Sequence, residues 1–191
     1  MQNILFFGDS LTAGYGLRNA TMESYPAIIG QKIDAEGLGY KIINAGLSGD
    51  TSAGGLRRID YWLSQPVSVF VLELGINDII RGIPPALTLK NLQAIINKVS
   101  VKYPKVKMAV MGMQIPAFIH SPVAAQFSEI FSGLAAANQL SLVPFFLNGV
   151  AGNTHLNLPD RLHPNAEGYK VIAENVWPVI KKLIGQLPGQ V

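Results

Sequence analysis

The segment Gly8-Asp9-Ser10-Leu11 places a serine hydroxyl directly after the apolar run Ile4–Phe7. At such a turn the hydroxyl stands at the mouth of a sheet, and the glycines at 14 and 16 permit close backbone approach. A helical turn starting there would aim its amide dipoles at the serine oxygen and favour developing negative charge. A serine attacks only when a base takes its proton. Asp160-Arg161-Leu162-His163-Pro164 offers one. An aspartate three residues ahead of a histidine on a loop can reach back to the imidazole and fix its tautomer, which frees the other ring nitrogen to accept the serine proton. Pro164 favours an extended conformation at His163 and keeps it out of a following helix.

Two further segments can supply donors to an oxyanion. Asn44-Ala45-Gly46-Leu47-Ser48-Gly49-Asp50 contains Gly46, whose amide has no side chain in its way. Leu74-Gly75-Ile76-Asn77-Asp78 contains Asn77, a neutral amide that stabilises charge without a proton to lose. Each segment alone has a plainer reading. Asp9 or Ser10 would cap a helix, Gly46 would serve a strand-to-helix turn, and Asn77-Asp78 would form a turn or cap. His120 and His155 have no such partner and read as ordinary loop residues.

The elements that must position these residues alternate. Continuous apolar runs at Ile4–Phe7, Lys41–Asn44, Val67–Leu74, Lys107–Met113 and Ser141–Phe146 predict five strands buried on both faces. Between and after them, residues 24–36, 52–63, 89–103, 124–139 and 166–184 carry helical periodicity, with Pro178 a potential kink in the last. Residues 147–159 read as a Gly- and Asn-rich loop. Strands alternating with helical crossovers predict an α/β fold, a three-layer sandwich around a five-stranded parallel sheet, in a single domain over 1–191. In such sheets ligands bind beyond the carboxyl ends of the strands, where all four segments fall.

Composition narrows the function. Hydrophobic residues make up 49% of the chain and charged residues 14%, which predicts an ordered core. The absence of cysteine removes disulfides, thiolate metal sites and a cysteine nucleophile. Three scattered histidines share no ligand spacing, so no metal site is expected. Lys98, Lys102, Lys105 and Lys107 cluster without interleaved aromatics, and with a net charge of only +3 no nucleic-acid partner is expected. No apolar run approaches the ~20 residues that span a bilayer, so no stable membrane anchor is expected. Met1–Gly8 lacks the basic start and long apolar stretch of a signal peptide. A cytoplasmic location follows unless a leader has been removed, in which case the protein is periplasmic or secreted. Oligomeric state has no signature here.

Together and in this order, the four segments resemble the SGNH (GDSL-type) hydrolase superfamily, from Gly8 to the final helix. The resemblance implies a flavodoxin-like sheet, no cofactor, and hydrolysis of a small-molecule ester or thioester through an acyl-serine intermediate. Carried over by position, it implies a catalytic Ser10, His163 and Asp160, with an oxyanion hole of Ser10, Gly46 and Asn77. Gly-Asp-Ser-Leu-Thr-Ala-Gly-Tyr-Gly from Gly8, Asn-Ala-Gly-Leu-Ser-Gly-Asp-Thr-Ser from Asn44, Glu73-Leu74-Gly75 and Arg81-Gly82 are similar to the bacterial thioesterase, lysophospholipase and arylesterase branch. Ile76 stands where that branch more often has glycine, and its bulk narrows the mouth beside Asn77.

Asp9, Ile76, Ile80, Ile115 and Phe118 are the expected substrate-binding residues, the isoleucines and Phe118 forming an apolar groove that prefers short to medium acyl chains over acetyl. The alternatives are a carbohydrate acetylesterase on the same scaffold and a catalytically silent lipid- or sugar-binding module.

Overall fold

The computed structural model describes residues 2–115 and 122–185. Five strands, β1 (Gln2–Gly8), β2 (Tyr40–Gly46), β3 (Val69–Glu73), β4 (Lys107–Met111) and β5 (Ser141–Val143), form one sheet. Every pairing in it is parallel, and the order is β2-β1-β3-β4-β5. Among the described residues eight helices accompany them: α1 (Ser10–Ala13), α2 (Ala20–Glu23), α3 (Tyr25–Ala35), α4 (Ser52–Trp62), α5 (Ile76–Ile80), α6 (Pro85–Lys102), α7 (Pro122–Asn138) and α8 (Ala166–Gly185).

The strand order fixes the layers. The crossover from β1 to β2 runs in one direction along the sheet, and those from β2 to β3, β3 to β4 and β4 to β5 run in the other. With right-handed crossovers, α3 must lie on one face and α4, α6 and α7 on the opposite one. The packing agrees: α4 rests on α6 and α6 on α7, while α3 pairs with α8. The central strands, buried on both faces, therefore carry continuous apolar runs, Ile4 to Phe7 and Val69 to Leu72. The α/β sandwich expected from the alternation of elements is the observed architecture.

The order reverses between β1 and β3, the two strands that lead into Ser10 and Asn77. At such a switch point the flanking connections leave on opposite faces and open a crevice at the carboxyl edge. Differences from the sequence expectation have local causes. α6 starts at Pro85, four residues earlier than periodicity suggested, because proline suits the first helical position, where no N–H is needed. β5 stops at Val143 because Pro144 has no ladder donor. Pro178 lies inside α8, which continues through it. The short helices α1, α2 and α5 carry too few residues to show a period.

Candidate active site

Ser10 is the first residue of α1, whose cap is Asp9: the Asp9 carboxylate accepts the Leu11 N–H at 3.0 Å. The turn closes with Ala13 and Gly14 N–H donating to the Asp9 and Ser10 carbonyls, and Gly14 adopts the left-handed conformation that ends it. Ser10 is nearly buried, at 6% exposure.

His163 reaches it from the loop before α8. That loop is tied from both sides. Leu158 N–H donates to the His163 carbonyl at 2.7 Å, and Asn157 Nδ2 donates to the Val150 and Asn153 carbonyls. Asp160 Oδ1 accepts the backbone N–H of both Leu162 and His163. Arg161, between them, takes a φ of 59°, a left-handed conformation that a non-glycine residue adopts only where its surroundings hold it.

The result is a continuous line of contacts. His163 Nε2 lies 3.0 Å from Ser10 Oγ, and His163 Nδ1 lies 2.8 Å from Asp160 Oδ2. These hydrogen bonds, the His163 backbone N–H first, then the imidazole and the Leu162 N–H, hold the Asp160 carboxyl down at about 2. It is thus ionised throughout the neutral range and receives Nδ1–H, leaving Nε2 to accept from the serine. Tyr15 packs its ring 4.5 Å from the imidazole and limits its rotation.

A cavity of about 160 Å³ opens above this line, bounded by Ser10, Leu11, Tyr15, Ser48, Gly49, Ile76, Asn77, Ile80, Leu162 and His163. Ile76 and Ile80 are among these lining residues. Asn77 is held by two donations from Nδ2, to Asp9 Oδ2 at 3.0 Å and to the Asp50 carbonyl at 2.9 Å. Its helix, α5, is anchored by buried Asp78, which accepts from Ser52 N–H, Ser52 Oγ and Thr88 Oγ1.

Three expectations are corrected. Gly46 does not line the cavity: it ends β2, its N–H donates to Asn44 Oδ1, and a Cβ there would collide with the Ala13 main chain. The glycine beside Ser10 is Gly49, at a φ of 77°. Its N–H has no acceptor among the described residues, and the turn Ser48-Gly49-Asp50 was the signal for it. Asp9 is fully buried beneath the serine turn and cannot meet a substrate. Ile115 packs half-buried against the core, away from the cavity lining. Phe118 lies outside the described residues. A wider groove of about 710 Å³ between α6 and α7 contains none of the catalytic candidates.

Periodicity and motif spacing did not single out Arg58, yet it stitches the carboxyl edge together. Its guanidinium donates to Asp50 Oδ2, the Ala45 carbonyl and the Gly8 carbonyl, and stacks 4.0 Å over the Phe7 ring.

A parallel α/β sheet with a serine, a histidine and an aspartate in hydrogen-bonded line at its carboxyl edge defines a serine hydrolase of the SGNH type. Residues 6–171 match the GDSL-like lipase/acylhydrolase family. The chain belongs to that family and is a carboxylic ester hydrolase. It is 36% identical to the esterase TesA of Pseudomonas aeruginosa over 184 residues, 96% of this chain and 90% of that protein. It is 34% identical over 182 residues to the Escherichia coli K12 protein named thioesterase 1/protease 1/lysophospholipase L1, covering 95% of this chain and 84% of that one. Its fold superimposes with a TM-score of 0.88 and 33% identity on the psychrotrophic esterase EstA from Pseudoalteromonas sp., solved inhibited by monoethylphosphonate, over 97% of this chain and 100% of that one.

Proposed function

We propose that Ser10 is the nucleophile, His163 its general base and Asp160 the group that orients the base, in hydrolysis of short-chain carboxylic esters and thioesters. The observation that carries this reading is the 3.0 Å approach of His163 Nε2 to Ser10 Oγ, continued at 2.8 Å to Asp160. Ser10 Oγ adds to the acyl carbon as Nε2 takes its proton, and the imidazolium then protonates the departing alcohol or thiol. Water, deprotonated by the same nitrogen, attacks the acyl-serine and releases the acid with the serine restored.

The oxyanion developing at the acyl oxygen is met by the Ser10 and Gly49 N–H groups and by Asn77 Nδ2. Of the two hydrogens on that amide, the one on the Asp50 carbonyl is held more weakly than the one on the Asp9 carboxylate. A neutral acceptor forms the weaker bond, so that hydrogen is shared with the oxyanion while the other stays on Asp9. The cavity is well below the ~300–1,000 Å³ of sites for drug-sized ligands, so it encloses only a short acyl group. A longer chain must run out over Ile80 and Leu162, which are 58% and 46% exposed.

The test is covalent labelling by a fluorophosphonate together with initial rates on p-nitrophenyl esters from acetate to palmitate. We expect labelling at Ser10 and a rate maximum at butyrate to hexanoate, with Ser10→Ala at least about 10⁴-fold slower in kcat. Normal turnover by Ser10→Ala would overturn the assignment. A serine-dependent rate confined to acetate would replace the short-chain reading with an acetylesterase.

A further inference from the structure

Beneath the serine turn two carboxyls share a dry space. Asp9 and Glu73 are both 0% exposed, Asp9 following β1 and Glu73 ending β3. The close approach depends on Gly8, where any Cβ would collide with Glu73 and Thr12. The Asp9 N–H donates to Glu73 Oε2 at 3.2 Å, so the two buried carboxyls are packed side by side out of water, which requires that one of them carry a proton. Among the described residues neither forms an ion pair with a Lys, Arg or His. The surrounding titratable groups supply no positive charge: Tyr25 from α3, Tyr169 from α8, and Asp50. Arg58 of α4 reaches the Gly8 carbonyl, but its charge is matched by Asp50.

The hydrogen bonds decide which carboxyl is charged. Asp9 receives one donor on each oxygen, Leu11 N–H on Oδ1 and Asn77 Nδ2 on Oδ2. Glu73 receives both of its donors, Asp9 N–H at 3.2 Å and Thr12 Oγ1 at 2.7 Å, on Oε2, and none on Oε1. A buried carboxylate oxygen without a donor is costly, whereas a protonated carboxyl needs none there. Burial pushes Asp9 up to about 7 and Glu73 well above the usual carboxylate range, with the Asp9 charge adding to the rise of Glu73.

We propose that Glu73 is a positioning residue that works as a neutral acid: it keeps its proton at the pH of catalysis and donates it to the Asp9 carboxylate. That carboxylate thereby stays seated on the Leu11 and Asn77 donors that set the serine turn and the oxyanion amide. Ionising Glu73 would press two carboxylates together and drive Asp9 off both donors. The inference rests on the Ser10–Asn77 reading above and adds the group that holds it in place.

Glu73→Gln keeps a donor for Asp9 and an acceptor for Thr12 and cannot ionise, while Glu73→Leu removes both. The readouts are the infrared C=O stretch of a protonated carboxyl at neutral pH, and kcat and KM for p-nitrophenyl butyrate against pH. We expect wild type to show the band and Glu73→Gln to lack it. Wild type should also lose kcat reversibly at alkaline pH where Glu73→Gln does not, and Glu73→Leu should lose about ten- to a hundredfold in kcat with KM little changed, a cost typical of outer-shell partners. Thermal unfolding adds a third readout. A carboxyl whose native pKa is raised binds a proton that the unfolded chain releases above ~4.3, so wild type loses stability as pH rises past that value and Glu73→Gln is spared that loss. Absence of the band at neutral pH, or an identical alkaline limb in wild type and Glu73→Gln, overturns the inference even if Glu73→Leu fails to fold. Fluorophosphonate labelling run on the same samples separates the two readings, since loss of labelling in wild type sinks the nucleophile and not Glu73 alone.

Discussion

Asp160 holds His163 at two points: Oδ2 lies 2.8 Å from the ring Nδ1, and Oδ1 accepts the backbone N–H of the same residue at 3.0 Å. The carboxylate thus orients the imidazole and fixes the loop that presents it. Asp160→Ala should lower kcat by about 10²-fold or more with little change in KM, measured on p-nitrophenyl butyrate. The sign of the pH effect follows from a depressed pKa. Its stabilising contribution is present above the unfolded value of ~3.9 and is lost as pH falls through about 2. Because the Asp160 side chain is 43% exposed, solvent screens that contribution. The difference in Tm between wild type and Asp160→Ala should be small and constant above pH ~4 and vanish near pH ~2.

Asn77 makes a separate prediction, because its amide acts on the transition state rather than on the nucleophile. Asn77→Ala should cost roughly a hundred- to a thousandfold in kcat while Ser10 still reacts with a fluorophosphonate. Unchanged kcat would remove Asn77 from the oxyanion hole.

The two glycines of the second segment should behave differently. At Gly46 a Cβ meets the main chain of Ala13, which cannot move without displacing the turn that carries Ser10. Gly46→Ala should therefore lower Tm sharply or prevent folding. At Gly49 a Cβ finds only the end of the Arg81 side chain at 3.5 Å, and the cost is the φ of 77°. Gly49→Ala should fold with a loss of about 1–3 kcal/mol. Equal stabilities for the two variants would contradict their assigned places.

The contrast shows what the sequence makes legible. The sheet was readable because β1 and β3 are buried on both faces, which leaves a continuous apolar run in the chain. The serine and histidine segments were readable because each packs its partners within a few residues: Asp9 caps Leu11, and Asp160 reaches His163. Choosing between Gly46 and Gly49 required the tertiary turn, since both are glycines three residues apart and only the path of the backbone distinguishes them. Asp9 was misread for the same reason: its neighbour Ser10 lies at the cavity, yet its own buried carboxylate is taken up by the Leu11 N–H and by the amide of Asn77, 68 positions away in sequence. Arg58 escaped notice because its partners come from β1, β2 and the Asp50 turn, a convergence that no local pattern encodes.

Arg58 lends itself to a stability measurement. Its side chain is 18% exposed and that of Asp50 6%, so removing the guanidinium leaves a buried carboxylate unpaired and takes a donor from the Ala45 and Gly8 carbonyls. Arg58→Met should destabilise the fold by about 3 kcal/mol, read from urea unfolding, and lower kcat through the Asp50 carbonyl that holds Asn77. Converting Asp50 to Asn in the same chain should recover part of the loss, since the stranded charge is gone. A double variant no more stable than Arg58→Met alone would show that the cost lies elsewhere.

Ile76 carries the prediction about substrate size. Its side chain lines a cavity of about 160 Å³ beside Asn77 and packs half-buried against the core. Truncating it removes three carbons from the wall without touching the α5 anchor, because Asp78 keeps its bonds to Ser52 and Thr88. Ile76→Ala should therefore shift the kcat/KM maximum toward longer acyl chains, raising the octanoate-to-butyrate ratio by about tenfold, near the low end of what one to a few methylenes are worth in a hydrophobic pocket. The rate on acetate should change little, because an acetyl group does not reach the wall being removed. An unchanged chain-length profile would mean that the acyl chain leaves Ser10 by another route, past Tyr15 or Ser48, and the same series on variants of those residues would locate it.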